Sequence, residues 1–138
     1  LRSKGHDFWS ISPDETVFAA LELMAQKDIG ALLVLEGERL VGIISERDYA
    51  RKVVLKGKFS KNTLVREIMT EDVFCVSPTQ TIEECMGLMT EKRVRHLPVV
   101  AEGKLMGIIS IGDVVKAVIS DQEYMIHELE SYITGTRN

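Results

Sequence analysis

Apolar residues recur along this chain in two rhythms, and the two alternate. Val17, Ala20, Leu21 and Met24 fall at helical spacing, and Ile82, Cys85, Met86 and Met89 do so again. An apolar residue every three or four positions marks one face of a helix laid on a core. Between these stretches stand short, nearly continuous aliphatic runs: Ala31–Leu35 and Leu40–Ile44, then Leu97–Val100 and Leu105–Ile109. Such runs are strand-length, and the Gly-bearing breaks Glu36-Gly37-Glu38 and Glu102-Gly103-Lys104 join them as hairpins. Strands apolar on almost every position need cover on both faces. Short extended segments, Phe8–Ile11 and Val73–Val76, precede the two helices, and Glu46–Val54 and Ile111–Ile119 return to the helical rhythm. The order β-α-β-β-α therefore occurs twice.

The second copy is a repeat in residues as well as in pattern. Shifting the chain by 65 positions places Ser12-Pro13 on Ser77-Pro78, Thr16 on Thr81, and Leu23-Met24 on Leu88-Met89. Gly42-Ile43-Ile44-Ser45 then falls on Gly107-Ile108-Ile109-Ser110, and Asp48 on Asp113. Repeats of this kind are units that bury their apolar faces against one another. A unit of roughly 55 residues is marginal alone, because it buries too little of its surface. The expected fold is mixed α/β (α+β): two β-α-β-β-α repeats packed sheet to sheet with pseudo-two-fold symmetry. The units run over 1–62 and 63–120, with a C-terminal helix and tail over 121–138. Met24, Met86 and Met89 are assigned to the core.

Local signals refine the elements. Thr81 with Glu84 is a capping-box pattern, and Ser12, Pro13 and Glu15 supply cap, first-turn proline and acid for the other helix. Thr16 is an alternative start. The connector Thr63–Met69 reads as a short amphipathic helix docking the second unit. Its counterpart for the first unit would lie upstream of Leu1. The segment Asp121–Thr134 reads as a helix stopped by Gly135. Its stripe of Met125, Leu129, Tyr132 and Ile133 either packs on its own lobe or meets a second copy in a homodimer.

Composition narrows the function. The chain has 138 residues, 45% of them hydrophobic, and a formal net charge of −4. No apolar run approaches the roughly 20 residues of a membrane-spanning helix, and an acidic surface repels a phosphate backbone. The basic stretch Arg51–Lys61 reads as a solvated helix end, so neither membrane nor nucleic acid is an expected partner. Cys75 and Cys85 lack metal-ligand spacing and fall on apolar positions, as small hydrophobes in a reducing cytoplasm. His6, His96 and His127 do not cluster, so no metal is expected. No nucleophile elbow, Walker sequence or GxGxxG is present, and no catalytic residue is assigned.

In both units a strand runs directly into Ser-x-x-Asp at a helix start: Ser45-Glu46-Arg47-Asp48 and Ser110-Ile111-Gly112-Asp113. At the least these are helix caps. A helix start also offers unpaired N–H groups to a phosphate, and a nearby aspartate can hold ribose hydroxyls. Arg47, Arg93 and Arg95 are candidate phosphate donors or plain surface arginines.

Two units ending Gly-Ile-Ile-Ser-x-x-Asp, with Arg95-His96-Leu97-Pro98-Val99-Val100 before the second hairpin, resemble the tandem cystathionine-β-synthase (CBS) domain pair, or Bateman module, of the stand-alone bacterial type. The resemblance implies a regulatory module that is not an enzyme. It would bind AMP or a related adenosine compound (ADP, ATP, NAD or S-adenosylmethionine) in clefts between the repeats and signal to an unknown protein effector. It assigns phosphate and ribose contacts to Ser45 with Asp48 and to Ser110 with Asp113. Base contacts fall on Ser10, Ile11 and Ala31 in one site and on Cys75, Val76 and His96 in the other, with Ile111, Gly112 and Pro98 alongside. The first unit has Leu33 where the second has Pro98, and Glu46-Arg47 against Ile111-Gly112, so two unequal clefts are expected. The alternatives are a structural dimerisation module whose Ser-x-x-Asp pairs are only caps, and a nucleotide hydrolase.

Overall fold

The structure, a computed structural model, describes residues 8–134. Both aliphatic pairs form antiparallel hairpins, β2 (Ala31–Glu36) with β3 (Arg39–Ser45) and β4 (His96–Ala101) with β5 (Lys104–Ser110). Leu32 pairs with Ile44 and Val34 with Gly42; 65 positions on, Leu97 pairs with Ile109 and Val99 with Gly107. Each hairpin shifts register at the matching place, between Val34 and Leu35 and between Val99 and Val100. The repeat in residues is thus a repeat in backbone, down to the bulge.

The first extended segment contributes β1 (Ser10–Ile11), which runs parallel to β2. Its counterpart, expected over Val73–Val76, shrinks to one bridge between Val76 and Val99. Proline explains the loss. Leu33 donates its N–H to Trp9 O at 3.2 Å, whereas the matching Pro98 has no N–H to offer Phe74.

Helix α1 (Val17–Lys27) starts at Thr16, whose Oγ1 accepts from Ala19 N–H at 3.1 Å. Ser12 instead accepts from Asp14 N–H at 3.2 Å, closing the preceding turn. Helix α2 (Glu46–Tyr49) passes into a wider π turn over Ala50–Val54. Helix α4 (Ile82–Lys92) carries the expected box, with Glu84 N–H to Thr81 Oγ1 at 3.1 Å and Thr81 N–H to Glu84 Oε1 at 2.9 Å.

Two buried clusters result, one per unit. The first holds Val17, Ala20, Met24, Leu32, Val34, Ile44 and Val53; the second holds Val76, Cys85, Met89, Leu97, Val99, Ile109 and Val114. Met86 is not core: it is 43% exposed, on the rim between α4 and the last helix.

The connector contradicts its expected placement. Helix α3 (Val65–Ile68) docks on the first unit, not the second, with Val65 and Ile68 buried in the first cluster. Val65 N–H donates to Glu15 O and Val17 N–H to Thr63 O, both at 2.8 Å. Lys52 Nζ donates to Ile68 O at 2.9 Å, and Arg66 pairs with Asp14. Thr70 and Ile43 exchange backbone hydrogen bonds, so the connector satisfies groups that β3 leaves open at its edge. Gly42 permits this approach: a Cβ there would lie 2.9 Å from both Thr70 O and Met69 Sδ. Gly42→Ala is therefore expected to lose about 1–3 kcal/mol of stability through overpacking. Urea unfolding checks it, and an unchanged midpoint would show that the connector moves freely.

Helix α5 (Ile111–Thr134) runs without the break expected near residue 120. Of the stripe, Met125 and Leu129 are both more than half exposed, so these two do not pack on their own lobe. The side chains of Tyr132 and Ile133, and Gly135, lie outside the described residues. Among the described residues no helix is long and apolar enough to cross a membrane.

Candidate functional site

Ser45 ends β3 in an extended conformation and turns the chain into α2. Its N–H donates to Asp48 Oδ2 at 2.9 Å, its hydroxyl donates to the same oxygen at 3.0 Å, and Asp48 N–H returns to Ser45 Oγ at 3.2 Å. The second unit repeats the box, with Ser110 N–H to Asp113 Oδ2 at 2.8 Å and Asp113 N–H to Ser110 Oγ at 3.2 Å. Both motifs are therefore helix caps. In the first, Asp48 Oδ1 is left over from the cap. Lys52 Nζ lies 3.2 Å from it, and Thr70 Oγ1 donates to it at 3.4 Å. Lys52 corresponds to Ala117 in the second unit.

A backbone bond ties each motif to the start of its own hairpin. Glu46 N–H donates to Gly30 O at 3.0 Å, and Ile111 N–H to Arg95 O at 2.9 Å. This fixes Arg95 and His96 beside Ile111. The two units meet around a cleft of about 850 Å³, within the usual range for small-molecule sites. Ser45, Arg47 and Asp48 line it from the first unit; Arg93, Arg95, His96 and Ile111 line it from the second. Ile43, Val73 and Phe74 supply apolar wall.

The cleft mixes what the sequence reading had sorted by unit. Ser10, Ile11 and Ala31 lie outside its lining, although Gly30 beside Ala31 is part of it. Val76 and Pro98 are buried in the second unit, and Ser110 and Gly112 also lie outside the lining. Cys75 is exposed rather than apolar packing, whereas Cys85 is fully buried. Asp113 lines another cavity of about 440 Å³ inside the second unit, with Thr81, Ile82 and Ala117. Those positions match Thr16, Val17 and Lys52, the surface on which residues 63–70 sit in the first unit. Sequence reasoning missed Thr70, Asp72 and Lys92, which reach the cleft through the end of the connector and the end of α4.

Electrostatically the cleft is a meeting of cations. Repulsion from Arg51 lowers the Arg47 pKa, with desolvation and Arg95 of the other unit adding to it and Asp48 opposing. An anion placed there would relieve the crowding. Among the described residues no cluster of His, Cys, Asp and Glu is arranged to hold a metal.

Comparison with known proteins agrees with this architecture. A family model described as CBS domain matches residues 5–55 and again 65–120. The CBS domain-containing protein CBSX3, mitochondrial, of Arabidopsis thaliana is 42% identical over 88% of this chain, which spans 62% of that protein's length. An inosine-5'-monophosphate dehydrogenase of Methanocaldococcus jannaschii is 38% identical over 80% of the chain, but the match takes up only 21% of that enzyme, its CBS part. A solved structure of a protein with CBS domains from Burkholderia ambifaria MC40-6 superposes with a TM-score of 0.82, at 56% identity, covering 86% of this chain and 87% of that one. Proteins built of such domains are generally regulatory or sensor modules. Two matched segments, one register and one repeated cap place this chain in the CBS domain family, as a tandem pair.

Proposed function

We propose that the chain is an adenine-nucleotide sensor, with the ligand in the cleft between its two CBS domains, and that it catalyses nothing itself. One observation carries the reading: a single cleft joins the Ser45–Asp48 cap of one domain to Arg93 and Arg95 of the other. Asp48 Oδ1 would accept from ribose hydroxyls in place of Thr70, the arginines suit phosphate, and Val73, Phe74 and Ile111 suit a base. AMP, ADP, ATP, NAD and S-adenosylmethionine all share the adenosine such a site would hold. A ligand bridging two domains favours the arrangement in which both walls reach it, and an effector protein would read that shift. The setting is the reducing cytoplasm, where both free thiols persist.

The second domain also presents an apolar row of Ile111, Val115 and Ile119 with Met86, each 43–50% exposed. This row favours a homodimer, whose mass light scattering would read as twice 15.5 kDa. A homodimer is compatible with the sensor. A purely structural module would form it too, yet ignore nucleotide.

Thermal unfolding with and without 1 mM AMP, paired with titration calorimetry, tests the sensor. At about ten times Kd a ligand adds roughly 1.4 kcal/mol, which raises Tm by about 3–6 °C. If adenosine, AMP, ADP, ATP and NAD all left Tm unchanged and gave no heat, the sensor reading would fail.

A further inference from the structure

Resting on the nucleotide reading, a narrower conclusion about the ligand follows from how charge is distributed around the cleft. Three guanidiniums line it, Arg47 from one domain and Arg93 and Arg95 from the other, and Lys92 joins them. Two carboxylates line it as well, Asp48 and Asp72. Asp48 is already committed, one oxygen to the cap of α2 and the other to Lys52 and Thr70. Lys92 lies 3.5 Å from Glu91 and over the Phe74 ring. The three arginines form no ion pair with a described carboxylate, and all three are exposed at the cleft. Arg95 reaches across from the second domain closely enough to help lower the Arg47 pKa, after Arg51 and desolvation. With Asp48 committed, Asp72 is the one lining carboxylate set against three arginines, and such an excess of positive charge is a site for an anion of more than one charge.

The anchoring of these residues spreads the site over both domains. Arg47 and Asp48 both stand on α2 and both line the cleft from the first domain. Arg95 is pinned by its carbonyl to Ile111 N–H, and Arg93 sits in the left-handed turn that ends α4. Both therefore face the cleft from the other domain. A monophosphate can occupy one arginine fork; a chain of two or three phosphates can bridge to the second domain.

We propose that the cleft selects an adenine nucleotide with two or three phosphates over the monophosphate, with Arg47 of one domain and Arg93 and Arg95 of the other gripping the phosphate chain. Occupancy would then bridge the two CBS domains by charge as well as by contact. NAD, whose diphosphate is capped by a second nucleoside, lacks the free terminal phosphate that this grip needs.

Calorimetric titration of the whole chain with adenosine, AMP, ADP, ATP and tripolyphosphate, in low salt with EDTA and again with magnesium, tests the preference. ATP and ADP are expected to bind roughly tenfold tighter than AMP, with a steeper loss of affinity as salt rises. In Arg47→Gln and Arg95→Gln the ATP-to-AMP ratio is expected to fall several-fold towards one. Arg66→Gln, which removes the same charge far from the cleft, is expected to keep it. Equal affinity for AMP and ATP, or equal weakening of both by the cleft variants, overturns the preference and leaves the nucleotide reading standing. Binding of tripolyphosphate without any adenine compound overturns both, because the site then takes a bare anion. Absence of binding by every adenine compound also overturns both.

Discussion

Leu32→Ala and Leu97→Ala are each expected to destabilise the protein by about 2–5 kcal/mol, the range for emptying a leucine-sized space that cannot collapse. The two leucines are counterparts at 65 positions, both 0% exposed. Each pairs across its hairpin with an isoleucine, Ile44 or Ile109, and lies at the centre of its own cluster. The surrounding side chains come from two layers, strand and helix, so neither layer can close the gap without opening another. Urea unfolding followed by far-UV circular dichroism measures the loss, and a loss below about 1 kcal/mol would mean that the clusters are loosely packed. Trp9, the one tryptophan of the chain, adds a domain-specific probe, since it adjoins β1 in the first unit. Units this small rarely stand alone, so the Trp9 midpoint is expected to move as far for Leu97→Ala as for Leu32→Ala. A Trp9 midpoint that ignored Leu97→Ala would show two independently folding halves.

What the sequence makes legible is the part governed by local rhythm. Strand-length aliphatic runs and their 65-residue recurrence give both hairpins and the caps that follow them, because pleat and helix periods are written in consecutive residues. The misses are places where two local solutions compete or where a distant partner decides. Ser12 and Thr16 are both good caps, and the choice falls to Thr16 because buried Pro13 and the Ser12–Asp14 turn take up the first. The strand at 73–76 fails because Pro98, on a neighbouring strand, withholds a hydrogen bond that its own segment cannot foresee. Val65 and Ile68 announce an apolar face, but nothing in their spacing says which core receives it. The cleft shows the same boundary. Ser45–Asp48 is legible as a motif, whereas its meeting with Arg93 and Arg95 is a tertiary event between repeats, and Thr70 and Lys92 carry no motif at all.

Asp48→Ala is expected to weaken nucleotide binding by about 10–100-fold, the effect of losing one or two hydrogen bonds to a charged acceptor. The carboxylate has two separable duties. Oδ2 closes the cap on Ser45, and Oδ1, now held by Lys52 and Thr70, is the oxygen that ribose hydroxyls would take over. Removing the side chain ends both, while Asp48 N–H still donates to Ser45 Oγ; loss of the returning half of the box costs about 0.5–1.5 kcal/mol of stability. Asp113 separates the two effects. It closes the same cap on Ser110 at nearly the same distances, but it lines the other cavity rather than the cleft. Asp113→Ala is therefore expected to lose comparable stability while keeping affinity for nucleotide in the cleft within about twofold, an effect no larger than a remote substitution gives. Titration of both variants beside their urea curves makes the comparison. If the two lost affinity equally, binding would follow stability rather than the Asp48 oxygen, and the ribose would have to be held elsewhere.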